Sequence, residues 1–338
     1  MVDAVLFGEL KTLCRRSFPY RLDQSITHIK PLDDGRHPSV SLSLAWREGR
    51  RPRVERLVVR QYADPWTWWA LDDGQKAQRE WTVMRWLFGR GLPVPQLYAS
   101  GSEGEHEYLM MPLVPGEPVQ ATSSAHVEAL AVLLAQIHRL TPPEAVRQAL
   151  PGVLPGRELA RLRDLAFRCQ VDGLLEATTA LYAELHAELH AEVRAEPHAE
   201  TDESMASEVP PLCVLHGDPR LANVRCDAQG ITALLGWENA ALGDPRWDVA
   251  RVVNDLRSQQ ADALAERFCA VYEDRSGRPL VDLGFWETLT ATQSWALVEW
   301  VRQEVATDGG VALLSERAFW QERAWRSLTR LRHAQSEA

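Results

Sequence analysis

Residues 214–252 read VLHGDPRLANVRCDAQGITALLGWENAALGDPRWDVARV, and this stretch decides the fold. It begins with apolar residues, continues through a polar loop at residues 216–223, and reaches a turn at residues 227–230. The β-branched residues that follow predict a strand. Asp244 and Pro245 predict the start of a helix, because proline fits the first helical turn. The stretch therefore predicts a loop with carboxylate and amide side chains, followed by a turn, a strand and a helix.

The polar loop has the spacing of a catalytic loop. Asn223 follows Asp218 as in the H-R-D-x-x-x-x-N loop of protein kinases. Phosphoryl transfer needs a carboxylate that accepts the proton of the attacking hydroxyl, and oxygen ligands that hold magnesium. Asp218 fits the first role and the side-chain carbonyl of Asn223 fits the second. The alternative is a simple turn, which Asp and Asn also build. We expect the His216 ring to shape the loop by hydrogen-bonding nearby backbone.

Further segments of the stretch follow in a fixed order: Trp237-Glu238, Gly243-Asp244-Pro245 and Asp248. With them the sequence resembles the aminoglycoside phosphotransferase and choline kinase-like family, which combines HGDxxxxN, a strand ending in aspartate, W-E and G-D-P-x-x-D. The resemblance implies a two-lobed, protein-kinase-like α+β fold with a strand-rich N-lobe and a mainly helical C-lobe. It also implies transfer of phosphate from ATP or GTP to a hydroxyl of a small molecule, with Mg²⁺ as the metal cofactor.

The two aspartates at the end of the stretch have structural roles in our interpretation. Asp244 precedes Pro245 and is predicted to cap the helix that starts there. Asp248 falls in the first turn of that helix, where the positive end of the helix dipole favours a carboxylate. From there we expect Asp248 to brace the catalytic loop.

The preceding part of the chain is predicted to be rich in strands. From Val40, VSLSLAW alternates apolar and polar residues and VERLVVRQY is rich in β-branched residues, which together predict a β-hairpin. The segment QREWTVMRWLFGRG then has helical spacing until Gly89 and Gly91. The resemblance places Arg60 on the nucleotide phosphates and makes Glu80 its partner on the helix. The alternative is that both are exposed surface charges.

Pro115 and Gly116 end the strand-rich part, and the sequence then turns helical. In SAHVEALAVLLAQIHRL, apolar residues recur on one helical face. We therefore predict an N-lobe at residues 1–112 and a C-lobe at residues 113–338. The resemblance assigns nucleotide binding to the N-lobe, and the catalytic loop and substrate-binding helices to the C-lobe.

The C-lobe contains a low-complexity insert at residues 183–208, built on A-E-x-H tetrads. On a helix, His186 and His190 would share a face, a geometry that binds metal in some enzymes. We favour a solvated helical expansion, because alanine and glutamate are good helix formers and the repeat has almost no apolar face.

The sequence departs from the family pattern at two positions. Where a glycine-rich phosphate loop is expected, PLDDGRHPSVSLSL contains only Gly35, so backbone amides there are less suited to cradle phosphate. Gly236 stands where the family has the aspartate that is its principal magnesium ligand. A glycine offers the metal no side chain.

Gly236 leaves several interpretations open. In the first, Asn223 and Glu238 still hold magnesium, although on a strand Glu238 would lie about 6 to 7 Å further along and the backbone would have to bend. In the second, the chain binds nucleotide or a small ligand without turning it over, as a pseudokinase does. The others are slow transfer with a loosely held metal and a substitution peculiar to this sequence.

Composition limits the other functions. The 338 residues carry a net charge of −10, which disfavours nucleic acid as a partner because that affinity depends on Lys and Arg. Five scattered cysteines without a CxxC pair indicate neither a disulfide framework nor a zinc site. No apolar run suits a membrane span and the N-terminus is not signal-like, so we expect a cytoplasmic protein. The sequence does not indicate an oligomeric state or identify the acceptor.

Overall fold

The computed structural model describes residues 4–32, 39–62, 76–103, 106–168, 171–181, 183, 212–304, 318–327 and 329. The predicted phosphate loop at Gly35 and the histidine repeat with His186 and His190 lie outside these residues. The chain forms two compact units. The first unit comprises residues 1–119, 144–150 and 222–240, and the second comprises residues 120–143, 151–221 and 241–338. The first unit thus extends past Pro112 and also includes part of the 214–252 stretch.

The first unit is built on a five-stranded antiparallel sheet of order β1-β2-β3-β5-β4. Its strands are β1 (Leu22–Leu32), β2 (Ser39–Glu48), β3 (Arg51–Tyr62), β4 (Ala99–Glu103) and β5 (His106–Pro112). Helix α1 (Ala4–Ser17) precedes the sheet, α2 (Lys76–Phe88) lies between β3 and β4 in the chain, and the short α4 (Glu144–Ala149) joins the unit later. The hairpin predicted from Val40 is confirmed, since Val40 pairs with Val59.

Alternation along β3 determines what each face of the sheet contacts. Leu57 and Val59 are buried in a core that includes residues of α1. Successive strand residues point to opposite faces, so Val58 and Arg60 lie on the other face. There Val58 packs with Ala77 and other apolar residues of α2 and β5. Helix α2 ends at Phe88, before the two glycines as predicted. The alternation of side chains along β3 therefore places Arg60 on the face of the sheet that α2 covers.

The 214–252 stretch contributes two strands of a small sheet in the first unit, whose strand order is β6-β8-β9. Its strands are β6 (Glu117–Pro118), β8 (Val224–Asp227) and β9 (Gly230–Leu234), and the predicted turn between β8 and β9 is confirmed. Strand β9 ends at Leu234, and a 3₁₀ turn follows at Trp237–Asn239. Glu238 therefore does not continue the strand, and the backbone bends before it, as the interpretation of Glu238 as a metal ligand requires.

The second unit is mainly helical. Its helices are α3 (Ser124–His138), α5 (Pro155–Arg168), α6 (172–181), α7 (Arg246–Ser258), α8 (Asp262–Ser276), α9 (Leu283–Glu304) and α10 (318–327). Two short strands, β7 (Cys213–Leu215) and β10 (Ala241–Gly243), pair antiparallel. The apolar face predicted for α3 is buried, and α3 packs against α8. Among the described residues, no helix is long and apolar enough to cross a membrane.

Candidate active site

The loop that follows β7 is held by a carboxylate of α7. The backbone N–H groups of His216 and Gly217 donate to Asp248 Oδ2 at 2.7 Å and Oδ1 at 2.9 Å. Gly217 has φ = 85°, in the left-handed region that favours glycine. The N–H of Asp218 donates to His216 Nδ1 at 3.2 Å. The structure thus confirms that Asp248 braces the loop and that the His216 ring bonds to nearby backbone.

Two further side chains support Asp248 from neighbouring helices, and the sequence reasoning missed both. His138 Nε2 lies 3.2 Å from Asp248 Oδ2, and His138 Nδ1 lies 2.8 Å from the Tyr272 hydroxyl. Because a carboxylate only accepts, His138 donates from Nε2, and in the neutral tautomer with this proton Nδ1 accepts from the Tyr272 hydroxyl. Burial raises the pKa of Tyr272, which favours the hydroxyl form that donates. The apolar-face pattern of α3 gave no signal for a buried histidine.

Replacing Asp248 with asparagine is expected to destabilise the protein by about 3 kcal/mol, because the amide leaves a buried backbone N–H without an acceptor. The Asp248 side chain is fully buried, so water cannot replace the lost contact. Urea unfolding followed by circular dichroism measures the change. Asp262→Asn is the matched control, since Asp262 is exposed in the first turn of α8. Equal effects of the two substitutions would contradict a bracing role for Asp248.

The Asp218 carboxylate is held by arginines. Arg220 Nε lies 2.9 Å from Asp218 Oδ1, and Arg220 Nη2 lies 2.9 Å from Oδ2. Arg251 Nη1 lies 3.8 Å from Oδ1. This two-point contact fixes the orientation of the carboxylate, which is almost completely buried. Arg220 follows Asp218 by two residues and was not among the predicted site residues.

In the first unit, Arg60 lies between two carboxylates. Its Nη1 is 3.4 Å from Glu80 Oε2 and 3.1 Å from Glu238 Oε2. The side chains of Arg60 and Glu80 are 11% and 1% exposed, so the alternative that both are exposed surface charges is wrong. The contact between Arg60 and Glu80 is the one that the sequence predicts, and the contact with Glu238 is an addition to it.

Contacts with α2 fix the turn that carries Glu238. Arg79 Nη1 donates to the Glu238 carbonyl at 2.8 Å, and the Trp237 N–H donates to Glu80 Oε1 at 3.3 Å. The Tyr62 hydroxyl also donates to Glu80. Burial raises the pKa of Glu80, and the nearby Glu238 carboxylate adds to this effect while Arg60 opposes it. The turn after Gly236 is therefore joined to α2 by backbone and side-chain contacts.

Gly236 faces the amide of Asn223. Its backbone is left-handed, with φ = 83° and ψ = 49°. A Cβ at this position would lie 3.2 Å from Asn223 Cγ and Nδ2 and 3.3 Å from Oδ1. The structure therefore brings position 236 and Asn223 together. It places Glu238 beyond the left-handed residue, with its carboxylate on Arg60.

A cavity of about 230 Å³ adjoins these residues, and all of its lining belongs to the first unit. Residues of β1, β3, β5 and the segment after β5 supply much of its apolar lining, together with Leu235. Among the described residues, its charged lining comprises Arg60, Glu80 and Arg225. An apolar cavity with a few charged groups at fixed positions is typical of a small-molecule site.

Comparison with models of known protein families identifies the family of this chain. The model of the phosphotransferase enzyme family matches residues 28–283. This chain belongs to that family. A search of curated proteins finds no match. The family match covers most of the five-stranded sheet, the loop at residues 216–223 and helices α2 to α8.

Solved structures of similar fold include enzymes with different acceptors. Choline kinase LicA from Streptococcus pneumoniae is 14% identical with a TM-score of 0.62, covering 95% of this chain and 99% of that one. Macrolide 2′-phosphotransferase MphH from Brachybacterium faecium is 19% identical with a TM-score of 0.56, covering 92% and 98%. A thermostable aminoglycoside phosphotransferase in complex with AMP-PNP and hygromycin B is 16% identical with a TM-score of 0.59, covering 95% and 98%. The predicted two-lobed, kinase-like α+β fold is confirmed.

The donors near position 236 do not complete a magnesium site of the kind expected for this family. Magnesium takes oxygen ligands in near-octahedral geometry and is usually bound through one or two carboxylates. Position 236 has no side chain, and the Glu238 carboxylate contacts Arg60. Within the described residues, no group of three or more His, Cys, Asp or Glu residues is placed to hold a metal ion. Asn223 and Glu238 as metal ligands remain a prediction.

Proposed function

We propose that this member of the phosphotransferase enzyme family binds ATP or GTP and transfers phosphate to a hydroxyl of a small molecule. The observation that carries the proposal is the buried pair of Arg60 and Glu80 on the wall of the 230 Å³ cavity. A guanidinium presents donors that match phosphate oxygens, and the apolar lining suits a purine base. The relative solved with AMP-PNP and hygromycin B supports this combination of ligands.

Asp218 is the proposed general base. Its carboxylate accepts the proton of the acceptor hydroxyl, and the hydroxyl oxygen forms a bond to the terminal phosphorus of the nucleotide. The bond from that phosphorus to the bridging oxygen breaks, and a nucleoside diphosphate leaves. Arg220 supports this role because it holds the carboxylate in one orientation. Arg60 is proposed to bind the phosphates, with Glu80 keeping its guanidinium in place.

We expect the reaction to be slow because of Gly236. A metal ion supplies several kcal/mol of charge stabilisation in phosphoryl transfer, so a poorly held metal lowers the rate on the order of a thousandfold. Positioning of nucleotide and acceptor still contributes to the rate, since catalysis of this kind depends largely on geometry and electrostatics. The proposed activity is therefore weak phosphotransfer.

A catalytically silent nucleotide-binding protein is the second candidate. The contact between Glu238 and Arg60 favours it, because this contact engages the carboxylate that was expected to compensate for Gly236. In this candidate the protein binds nucleotide in the cavity at Arg60 but does not transfer phosphate to an acceptor.

Transfer of radiolabelled phosphate tests the proposal. ATP and GTP are each offered with aminoglycosides, macrolides, choline-like alcohols and sugars, and the Asp218→Ala protein is assayed beside the wild type. Labelled product that requires Asp218 supports the phosphotransferase. Nucleotide binding without labelled product on a broad acceptor panel supports the silent candidate. Product that survives the Asp218 change comes from a contaminating enzyme and counts against the proposal.

A further inference from the structure

We propose that the nucleotide phosphates are bound by Arg60 without a metal ion, and that Glu238 positions this arginine instead of serving as a metal ligand. The inference rests on the nucleotide binding of the proposed function and specifies the form of the ligand. That ligand is a nucleoside di- or triphosphate, which the protein binds equally well with or without the magnesium that the nucleotide carries in solution.

The first support is the setting of the Glu238 carboxylate. It is almost completely buried and lies 3.1 Å from Arg60 Nη1. Its own backbone carbonyl accepts from Arg79, so the residue is fixed at both backbone and side chain. To ligate a metal beside Asn223, the Glu238 side chain would have to leave Arg60. Breaking buried charged contacts of this kind is costly.

The second support is the charge around the cavity. Arg60 and Arg225 both line it, and neither arginine loses its charge in a protein. Arg60 contacts Glu80 and Glu238 through Nη1, and its planar guanidinium presents donors in a fork that matches phosphate oxygens. Burial raises the pKa of Glu80, which disfavours its charged form near the phosphates. The lining thus offers positive charge in the place of a metal.

The experiment measures the dissociation constants of ATP, ADP and adenosine by isothermal titration calorimetry, once in Mg²⁺ and once in EDTA. For the wild type we expect the ATP and ADP constants in the two buffers to agree within about twofold, because a metal with no site of its own shifts nothing. Arg60→Gln is expected to weaken ATP and ADP about tenfold in both buffers and to leave adenosine unchanged, since only the phosphate contacts are lost. A purely structural defect would weaken all three ligands.

Two variants serve as comparisons. Arg21→Gln is the matched control, because Arg21 pairs with Glu55 at 2.8 Å in the same unit and does not line the cavity. It should bind all three ligands as the wild type does. Glu238→Gln should change the ATP and ADP constants by the same factor in Mg²⁺ and in EDTA. Its thermal unfolding is recorded to confirm that the variant is folded.

Tighter binding of ATP in Mg²⁺ than in EDTA, lost in Glu238→Gln, would overturn the inference and make Glu238 a metal ligand. That result would leave the proposed nucleotide-dependent function intact. If none of the three ligands bound to the wild type in either buffer, both this inference and the proposed function would be overturned. An Arg60→Gln protein that binds ATP and ADP normally would also contradict the inference, because the phosphates would then depend on another group.

Discussion

Asp218→Asn is expected to lower the rate of phosphate transfer about a thousandfold, within the range for loss of a general base. The asparagine amide has the shape of the carboxylate but does not accept the proton of the attacking hydroxyl. Nucleotide affinity should be unchanged, because Asp218 is not among the residues that line the cavity. Single-turnover transfer to an acceptor found by screening, at saturating nucleotide, measures the effect on the chemical step.

The control for this prediction is Asp227→Asn. Asp227 is exposed at the end of β8, where its side chain accepts from the Gln229 N–H in the turn that follows. Asparagine also suits such a turn, so activity and stability should stay close to those of the wild type. The Asp218 substitution weakens the contacts of a nearly buried carboxylate with Arg220 and Arg251, which we expect to cost up to about 3 kcal/mol, so thermal unfolding is recorded to confirm that the variant is folded. Unchanged transfer in the Asp218→Asn protein would show that another group accepts the proton.

The sequence predicted the parts of the fold that depend on local patterns. Alternation predicted the β2–β3 hairpin, and helical spacing with two glycines predicted the end of α2. Within the candidate site, the acidic residue in the first turn of α7 gave Asp248 its bracing role, which its contacts with the loop confirm. These features were predictable because period, capping and turn residues act over a few neighbours.

The turn at Glu238 could not be predicted, because its conformation depends on distant contacts. The pattern of ITALLG predicts a strand. Its glycine, Gly236, allows that strand either to continue or to end in a left-handed backbone conformation. The contacts that fix the turn come from Arg79 and Glu80 on α2, far away in the sequence. Arg60 and Glu238 are separated by 178 positions. Periodicity gives no information about such a pair, so the contact between Arg60 and Glu238 was not predicted.

Gly236→Asp is expected to make nucleotide binding depend on magnesium. The added carboxylate would project beside the Asn223 amide, because a Cβ at this position lies 3.2 Å from Asn223 Cγ. Carboxylate and amide oxygens together are ligands that magnesium accepts. The left-handed φ of 83° places strain on any side chain. Aspartate tolerates this region better than most residues, so we expect a stability cost of about 1 kcal/mol.

Thermal shift measures this prediction without knowledge of the acceptor. A ligand that binds the folded state raises the unfolding free energy by about 2.7 kcal/mol at a hundred times its dissociation constant. ATP with magnesium is compared with ATP alone, for the wild type and the variant. The wild type should show little difference between the two conditions, and the Gly236→Asp protein should show a larger shift with magnesium. Gly236→Asn is the matched control, since it adds similar strain without a charge.

Other outcomes of the same measurement would distinguish loss of the metal site from compensation. A large magnesium effect in the wild type that Glu238→Ala abolishes would show that Glu238 has replaced the missing aspartate and would favour a working kinase. An equal magnesium response in the aspartate and asparagine variants would show that the added carboxylate does not ligate the metal. No nucleotide shift in any protein would remove the nucleotide-binding proposal and leave only the fold. A magnesium response confined to Gly236→Asp would mean that the site lacks only one carboxylate to bind the metal. That outcome follows only if Asn223, Arg60 and Glu80 already stand where the nucleotide needs them.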